Sequence, residues 1–299
     1  MKAAVTGSSG FVGSYLVPYL RGLGDDVVTL DRSGSPPVDV TDSGQVRELL
    51  RSARPQVVYH LAALSHVGQS WDAPETVFHV NAGGALSVLR ASADAGVERV
   101  LVVGSADEYG AVGPEDLPLT EEAAIRPITP YGASKAAADL LALQAFLGDG
   151  LATVRVRSFN HTGPGQARDM LIPALAHRIA AAERAGGSKV SVGHLDILRD
   201  ISNVHDVVRA YRLLVEHGAP GEAYNVCSGR GVSVRELAER MLAMSDAPLE
   251  LVVDPALERP VDVPRLVGSP DKLRATTGWA PEIPLDQTLR DVLEAARTP

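Results

Sequence analysis

The sequence predicts an α/β protein, a doubly wound parallel sheet followed by a smaller α+β lobe. Three observations carry this. Short apolar, β-branched runs alternate with longer Ala- and Leu-rich segments through the first half of the chain. The strand runs are apolar on both faces, as a parallel sheet covered by helices on both sides requires. A glycine-rich turn stands between the first strand and the first helix.

In chain order, residues 3–6, 27–30, 57–61, 100–104 and 153–159 read as strands. Residues 10–23, 43–52, 74–95 and 130–147 read as the helices between them. After about residue 160 the texture changes to Gly- and Pro-punctuated pieces, with helical stretches at 170–185 and 232–244 and apolar runs near Val190 and Leu251. The expectation is therefore a sheet domain over residues 1–160 and a second lobe over residues 161–299, with a segment near 200–217 returning to the first domain. In open α/β sheets a ligand sits beyond the carboxyl ends of the strands, so the second lobe would close a cleft there and bind substrate.

Composition narrows the function classes. The 299 residues carry 28 Lys+Arg against 37 Asp+Glu, a net charge of −9, so the mean field repels nucleic acid and anionic membrane, and any bound phosphate must be met locally. Cys227 is the single cysteine, which excludes an intramolecular disulfide and points to a buried thiol in a reducing compartment. No run approaches the ~18 apolar residues of a membrane span, and the stretch from Met1 to Gly7 does not read as a leader, so a cytoplasmic protein is expected. The 8 histidines show no short ligand spacing, and no metal is expected.

Gly7-Ser8-Ser9-Gly10-Phe11-Val12-Gly13 lies between the first strand and the first helix, the context in which glycines let a backbone approach a pyrophosphate at a helix N-terminus. Asp31, at the end of the second strand, can accept the two ribose hydroxyls of an adenosine. It also favours NAD(H) over NADP(H), since a 2′-phosphate within ~4 Å of its carboxylate costs ~4 kcal/mol per unit charge at an effective dielectric of ~20. Arg32 can offset part of that repulsion, which leaves NADP(H) open, and Asp39 and Val40 fall near the adenine edge.

Tyr131-Gly132-Ala133-Ser134-Lys135 places a phenol and an ammonium on one helix face. A cation at ~4 to 6 Å lowers a phenol from its usual ~10 by ~1 to 3 units, so the pair is a candidate proton donor and acceptor. The same spacing also occurs on solvated helices. Ser105, just past the strand at 100–104, adds a hydroxyl at the cleft.

Taken together, Gly7, Gly10 and Gly13, Ser105, Tyr131 and Lys135, the stretch His60-Leu61-Ala62-Ala63, and Asn81 resemble the extended short-chain dehydrogenase/reductase family, whose members act mostly on nucleotide sugars. The resemblance implies a Rossmann domain that binds the cofactor partly through Leu61, Ala62, Ala63 and Asn81. It implies that Tyr131 exchanges a proton with the sugar C4 oxygen, that Ser105 hydrogen-bonds that oxygen, and that Lys135 holds the nicotinamide ribose and depresses the phenol. It further implies a homodimer built through residues 74–95 and 130–147.

The stretch from Ser158 to Gln166 resembles the reductases of the GDP-mannose branch, as do Arg199-Asp200, Arg259-Pro260 and Gly278-Trp279-x-Pro281. Arg199 and Arg259 suit a sugar-nucleotide diphosphate, because guanidinium groups meet phosphate bidentately. The Asn160 backbone amide would face the same diphosphate, and His161 follows it. The implied activity is reduction of the C4 ketone of GDP-4-keto-6-deoxy-D-mannose to GDP-D-rhamnose or its C4 epimer GDP-6-deoxy-D-talose. The alternatives are a 4,6-dehydratase or 4-epimerase that keeps its cofactor, and a non-catalytic cofactor-sensing protein. Asp107 bears on reductase against dehydratase without deciding it alone, since GDP-mannose dehydratases work with a hydroxyl residue plus one glutamate and Asp107 is only a methylene shorter. A dehydratase needs a base and an acid beside the hydroxyl residue, and here Ala106 takes the acid position, Asp107 the base position, and Glu108, if the segment is extended, points to the other face. In the reductase reading Asp107 positions substrate hydroxyls, or simply caps the following turn.

Overall fold

The computed structural model describes residues 1–34, 37–257 and 263–298. The chain runs β1 (Lys2–Thr6), α1 (Phe11–Gly22), β2 (Asp26–Leu30), α2 (Ser43–Ala53), β3 (Val57–His60), α3 (Pro74–Phe78), α4 (Gly84–Asp94), β4 (Arg99–Val103), α5 (Pro130–Asp149) and β5 (Thr153–Ser158). It continues with β6 (Asn160–Thr162), α6 (Leu171–Ala185), β7 (Lys189–Val192), β8 (Leu198–Asn203), α7 (Val204–His217), β9 (Ala223–Val226), β10 (Gly231–Ser233), α8 (Val234–Leu242), β11 (Glu250–Val253), β12 (Arg265–Leu266), α9 (Asp271–Thr277) and α10 (Leu285–Arg297).

Six parallel strands form one sheet in the order β2-β1-β3-β4-β5-β9. Its alternation explains why both faces are apolar. Ala3 and Val5 of β1 pack with α1 and α7, while Ala4, the residue between them, packs with α2, α4 and α5 on the opposite side. The chain leaves β1 for β2 on one side and returns to β3 on the other, so the strand order reverses beside β1. That is where an open α/β sheet forms a crevice at its carboxyl edge.

The sheet borrows three elements from the second half of the chain, α7, β9 and α9, the last through the buried Leu273. Helix α7 lays Val207, Val208, Ala210, Tyr211, Leu214 and Val215 into the same apolar cluster as α1, and Trp279 closes it by donating its indole N–H to the Asp206 carbonyl at 2.9 Å. Strand β9 supplies the sixth strand. It is too short, at Ala223-Tyr224-Asn225-Val226, to stand out in the sequence. The remaining elements, α6, α8 and α10 with β7, β8, β10 and β11, surround a second apolar cluster centred on Ile179, Leu237, Met241, Leu289 and Leu293. Strand β8 links the two bodies by pairing with β6 and running directly into α7.

Two helices differ from the expectation. The single helix at 74–95 is α3 and α4 joined by a π turn over His79–Gly83, which carries Asn81 inward. The helix at 232–244 begins at Val234, because the Ser233 hydroxyl caps it by accepting the Glu236 N–H at 3.1 Å. Cys227 is buried, and burial raises its thiol pKa well above the usual value. Among the described residues no cluster of His, Cys, Asp or Glu is arranged to hold a metal ion, and no helix is long and apolar enough to cross a membrane.

Candidate active site

A cleft of about 550 Å³ runs along the carboxyl edge of the sheet. One wall is backbone. Gly7 adopts φ +66, a conformation that favours glycine, and a Cβ there would lie 2.8 Å from the Ala62 backbone. A Cβ on Gly13 would lie 2.6 Å from the Ser8 carbonyl oxygen and run into the Gly7 carbonyl. The loop is therefore a cradle shaped by the absence of side chains, open at the N-terminus of α1, whose cap residue Gly10 contributes no side chain. This is what a pyrophosphate requires.

Thr6, not singled out in the sequence, braces this cradle. Its hydroxyl accepts the backbone N–H groups of Leu61 and Ala62, each at 3.2 Å, and bonds His60 Nδ1 at 2.9 Å. The sequence signal was a lone polar residue ending an otherwise apolar strand. Burial brings the His60 pKa down to about 3, with the charge of Lys135 acting in the same direction, so the imidazole is neutral. Asp31 is held in place as well. It accepts the Ser9 N–H at 2.8 Å and the Ser33 N–H and hydroxyl at 3.0 and 2.9 Å. Partial burial raises its pKa, but these bonds outweigh that and bring it to about 2.

The opposite wall carries the reactive side chains. Ser105 lies two residues past β4 and caps a 3₁₀ turn over Ala106–Glu108. Its hydroxyl donates to Asp107 Oδ2 at 2.9 Å and accepts the Asp107 N–H at 3.2 Å. Helix α5 starts beside this turn because Thr129 caps it through the Gly132 N–H at 2.9 Å, and because Gly132 has no Cβ, which would lie 2.6 Å from the Asp107 carbonyl. Tyr131 and Lys135 thereby share the inner face of α5 with Asp139, one and two turns apart.

The electrostatics differ from the expectation in one respect. Burial and then the carboxylate of Asp107 raise the Tyr131 phenol above its ordinary value, while a hydrogen bond with Ser105 acts the other way. The Lys135 ammonium donates to the Val103 carbonyl at 2.6 Å. Burial lowers Lys135 to about 8, opposed by Glu108. Tyr131 is thus held as a protonated phenol, a proton donor at rest.

Glu108 corrects a second expectation. The segment is a 3₁₀ turn, not extended chain, and Glu108 points into the interior at 0% exposure. Its Oε1 accepts the Ser105 N–H at 2.7 Å and its Oε2 lies 3.5 Å from Arg157 Nε. Asp107 remains at the cleft.

Farther along, the cleft is lined by Asn160, His161, Arg178, His194 and Arg199. Arg178 went unnoticed in the sequence; it is a lone cation among Leu175, Ala176 and Ile179, and its guanidinium donates to the Ser191 carbonyl at 3.2 Å. His161 donates Nδ1–H to the Phe159 carbonyl at 2.9 Å and stacks on Phe11 at 6.2 Å, joining the two walls. A second link is the contact of His66 Nε2 with Asp169 at 3.1 Å.

The structure thus gathers Gly7, Gly10, Phe11, Val12, Gly13, Leu61, Ala63, Ser105, Asp107, Tyr131, Lys135, Asn160 and Arg199 around one cleft. Ser9, Asp31, Arg32, Asp39, Val40, Ala62 and Asn81 stand outside its lining. Asp39 caps locally onto Thr41, and Val40 packs on Gly84. The Asn81 amide is spent on the Leu64 backbone and on Ser134 Oγ, so it braces the loop after β3 from behind. Arg259 and Pro260 lie outside the described residues.

Comparison with known proteins agrees with this geometry. The sequence family described as GDP-mannose 4,6 dehydratase matches residues 36–292. A GDP-6-deoxy-D-mannose reductase of Pseudomonas aeruginosa is 37% identical over 97% of this chain and 95% of its own length. A solved structure described as RMD from Pseudomonas aeruginosa complexed with NADPH superposes with a TM-score of 0.90 at 34% identity, covering 100% of this chain and 99% of that one. The UDP-glucose 4-epimerase of Thermus thermophilus in complex with NAD gives 0.89 at 31% identity, again over 100% and 99%.

Proposed function

Since this chain belongs to the GDP-mannose 4,6-dehydratase family of extended short-chain dehydrogenase/reductases, we propose that it reduces the C4 ketone of GDP-4-keto-6-deoxy-D-mannose, giving GDP-D-rhamnose or its C4 epimer. The observation that carries this reading is the split between two adjacent acids. Asp107 lines the cleft beside Ser105 while Glu108 is buried behind it and Ala106 offers no proton, so a substrate meets one carboxylate there, not an acidic pair able to serve as both base and acid.

A nicotinamide dinucleotide supplies the hydride when bound. The residues suited to hold it are Gly7, Gly10, Phe11, Val12 and Gly13 at the pyrophosphate, Leu61 and Ala63 along the loop after β3, and Tyr131 and Lys135 at the nicotinamide end. Asp31, ionised and braced by Ser9 and Ser33, favours NADH, because a 2′-phosphate would meet its charge. NADPH, held by the Pseudomonas aeruginosa structure, is the competitor.

Tyr131, protonated through burial, donates its proton to the C4 oxygen as negative charge develops there. The Ser105 hydroxyl, whose one proton rests on Asp107 Oδ2, turns that proton to the same oxygen to support it. Lys135 positions the nicotinamide ribose. Asn160, Arg178 and Arg199 supply the local donors and cations for a sugar diphosphate that a chain of charge −9 otherwise lacks. The body after β5, apart from α7, β9 and α9, serves as the nucleotide-sugar lobe.

The same reading extends to assembly and setting. Phe78 of α3 and Leu140 and Leu147 of α5 are 50%, 53% and 72% exposed, and we assign these helices to a homodimer interface, to be checked by light scattering on the eluted protein. One buried thiol, Cys227, suits a reducing, cytoplasmic setting.

The test is to mix purified protein with GDP-4-keto-6-deoxymannose and NADH, then NADPH, and follow loss of reduced-nicotinamide absorbance. Stoichiometric consumption is expected, faster with NADH, and the C4 configuration of the product can be read by NMR. No consumption with either cofactor overturns the reading in favour of a dehydratase or epimerase that retains its cofactor.

A further inference from the structure

Behind the cleft lies a buried charge cluster that the reaction as described does not use. Its members come from three elements. The 3₁₀ turn gives Glu108 and Tyr109, helix α5 gives Lys135 and Asp139, and strand β5 gives Arg155 and Arg157. Arg155 and Arg157 alternate with Val154 and Val156, so they face α5 rather than the apolar cluster on the other side of the sheet.

Asp139 is committed to the arginines, at 2.6 Å from Arg155 and 3.3 Å from Arg157. Arg157 also meets the Tyr109 hydroxyl at 3.1 Å and the Glu121 carbonyl at 2.9 Å. That leaves Glu108 as the carboxylate whose charge acts on Lys135. Its Oε1 sits where a Cβ of Gly104 would be, and the preceding residue, Val103, offers its carbonyl to the Lys135 ammonium. The Ser105 N–H reaches Oε1 at 2.7 Å, and Arg157 Nε faces Oε2 at 3.5 Å without a hydrogen bond. Asp139 Oδ1 is likewise buried without a hydrogen-bond partner, and burial followed by the Asp139 carboxylate pushes the Glu108 carboxyl up to about 8.

We propose that Glu108 is a positioning residue for the reduction, holding the Ser105 main chain at the end of β4 and keeping the buried Lys135 in its ammonium form. A lysine taken out of water tends to lose its proton, and a carboxylate on the far side of the Val103–Gly104 peptide opposes that. The groups facing Glu108 are Lys135 and Asp139 from α5, Arg157 from β5 and the Ser105 amide from its own turn. Burial, the largest influence, and then Asp139 act against its charge, while the other three support it. Gly104 follows as a dependent position, since any side chain there would displace the Glu108 oxygen and meet the Val156 carbonyl at 2.8 Å.

The inference rests on the proposed role of Lys135, so its test includes a readout that needs no ketone substrate. Glu108→Gln keeps an oxygen for the Ser105 N–H but removes the charge. Both the pH–rate profile and the pH dependence of reduced-nicotinamide binding, followed by fluorescence, are measured for the wild type and this variant. The expected result is that the alkaline limb of both profiles moves down by roughly one pH unit, with near-normal behaviour at pH 6 and roughly tenfold loss at pH 8. Glu108→Asp, which keeps the charge, should bring the limb most of the way back, and it serves as the deciding variant if Gln does not fold. An unmoved limb in a folded Gln variant, or a Glu108→Asp limb displaced as far as expected for Gln, overturns the proposal. If the wild type consumes no reduced cofactor while the binding limb still moves, the reductase reading fails and the role of Glu108 stands.

Discussion

The two walls of the cleft are built from different materials. The cofactor wall is main chain. Gly7, Gly10 and Gly13 make the cradle by what they lack, and Thr6, Asp31 and Asn81 brace it by bonding backbone amides and carbonyls. The substrate wall is side chain. Tyr131, Ser105, Asp107, Arg178 and Arg199 reach the cleft from α5, the turn after β4, α6 and β8. Backbone recognition leaves its mark in the sequence as a fixed spacing of one residue type, whereas side-chain recognition leaves single residues scattered through the chain. The first wall should tolerate no added atoms, and the second should tolerate loss of one donor at a graded cost.

The largest expected effect tests the reactive end. Tyr131→Phe should lower kcat by about 10³-fold with NADH binding intact, since general-acid catalysis contributes ~10² to 10⁴. Steady-state turnover beside fluorescence binding checks this, and retained turnover would remove Tyr131 as the acid. Next is the backbone wall, where Gly13→Ala puts a methyl 2.6 Å from the Ser8 carbonyl oxygen. Overpacking of ~1 to 3 kcal/mol predicts reduced-cofactor affinity lower by roughly tenfold to a hundredfold, read by titration alongside a thermal melt.

On the substrate wall, Arg199→Ala should raise KM for the nucleotide sugar by about tenfold to thirtyfold with little change in kcat, the cost of a charge-assisted hydrogen bond of ~1.5 to 2 kcal/mol. An equal loss in kcat would mean that Arg199 acts in the transition state and that the walls are less separate than their construction suggests.

The smallest effect concerns Asp31. Its folded pKa, about 2, lies below the ordinary aspartate value of 3.8, so it stabilises the fold above pH 4, and that contribution is lost as the pH falls toward 2. Allowing for its partial exposure, Asp31→Asn should cost ~1 kcal/mol at pH 7 and nothing near pH 2, measured by urea denaturation at both values. A pH-independent difference would assign the effect to packing rather than charge.

The alternation of short apolar runs with helical segments specified the parallel sheet, because covering both faces forces apolar residues at successive positions. The glycine turn and the spacing of Tyr131 and Lys135 were equally readable, because backbone approach and one helix turn are both local geometry. Other features depend on pairings between distant segments. Ala223–Val226 becomes a strand only because β5 is there to pair with it. Arg178 becomes a cleft residue only because α6 packs against β7. Asn81 matches a motif, yet a π turn commits it to the loop behind the cleft.

Asp107 and Glu108 show the division most clearly. Adjacent in sequence and alike in charge, they are separated by a 3₁₀ turn that points successive side chains about 120° apart. One stays at the cleft and the other is driven into the interior toward Arg157 and Lys135. The sequence by itself determined the sheet, the phosphate cradle and the phenol–ammonium pair, since each follows from residues within a turn or a strand of one another. Only the tertiary structure decided which acid faces the substrate, because a side chain's direction depends on the charges that α5 and β5 bring to meet it.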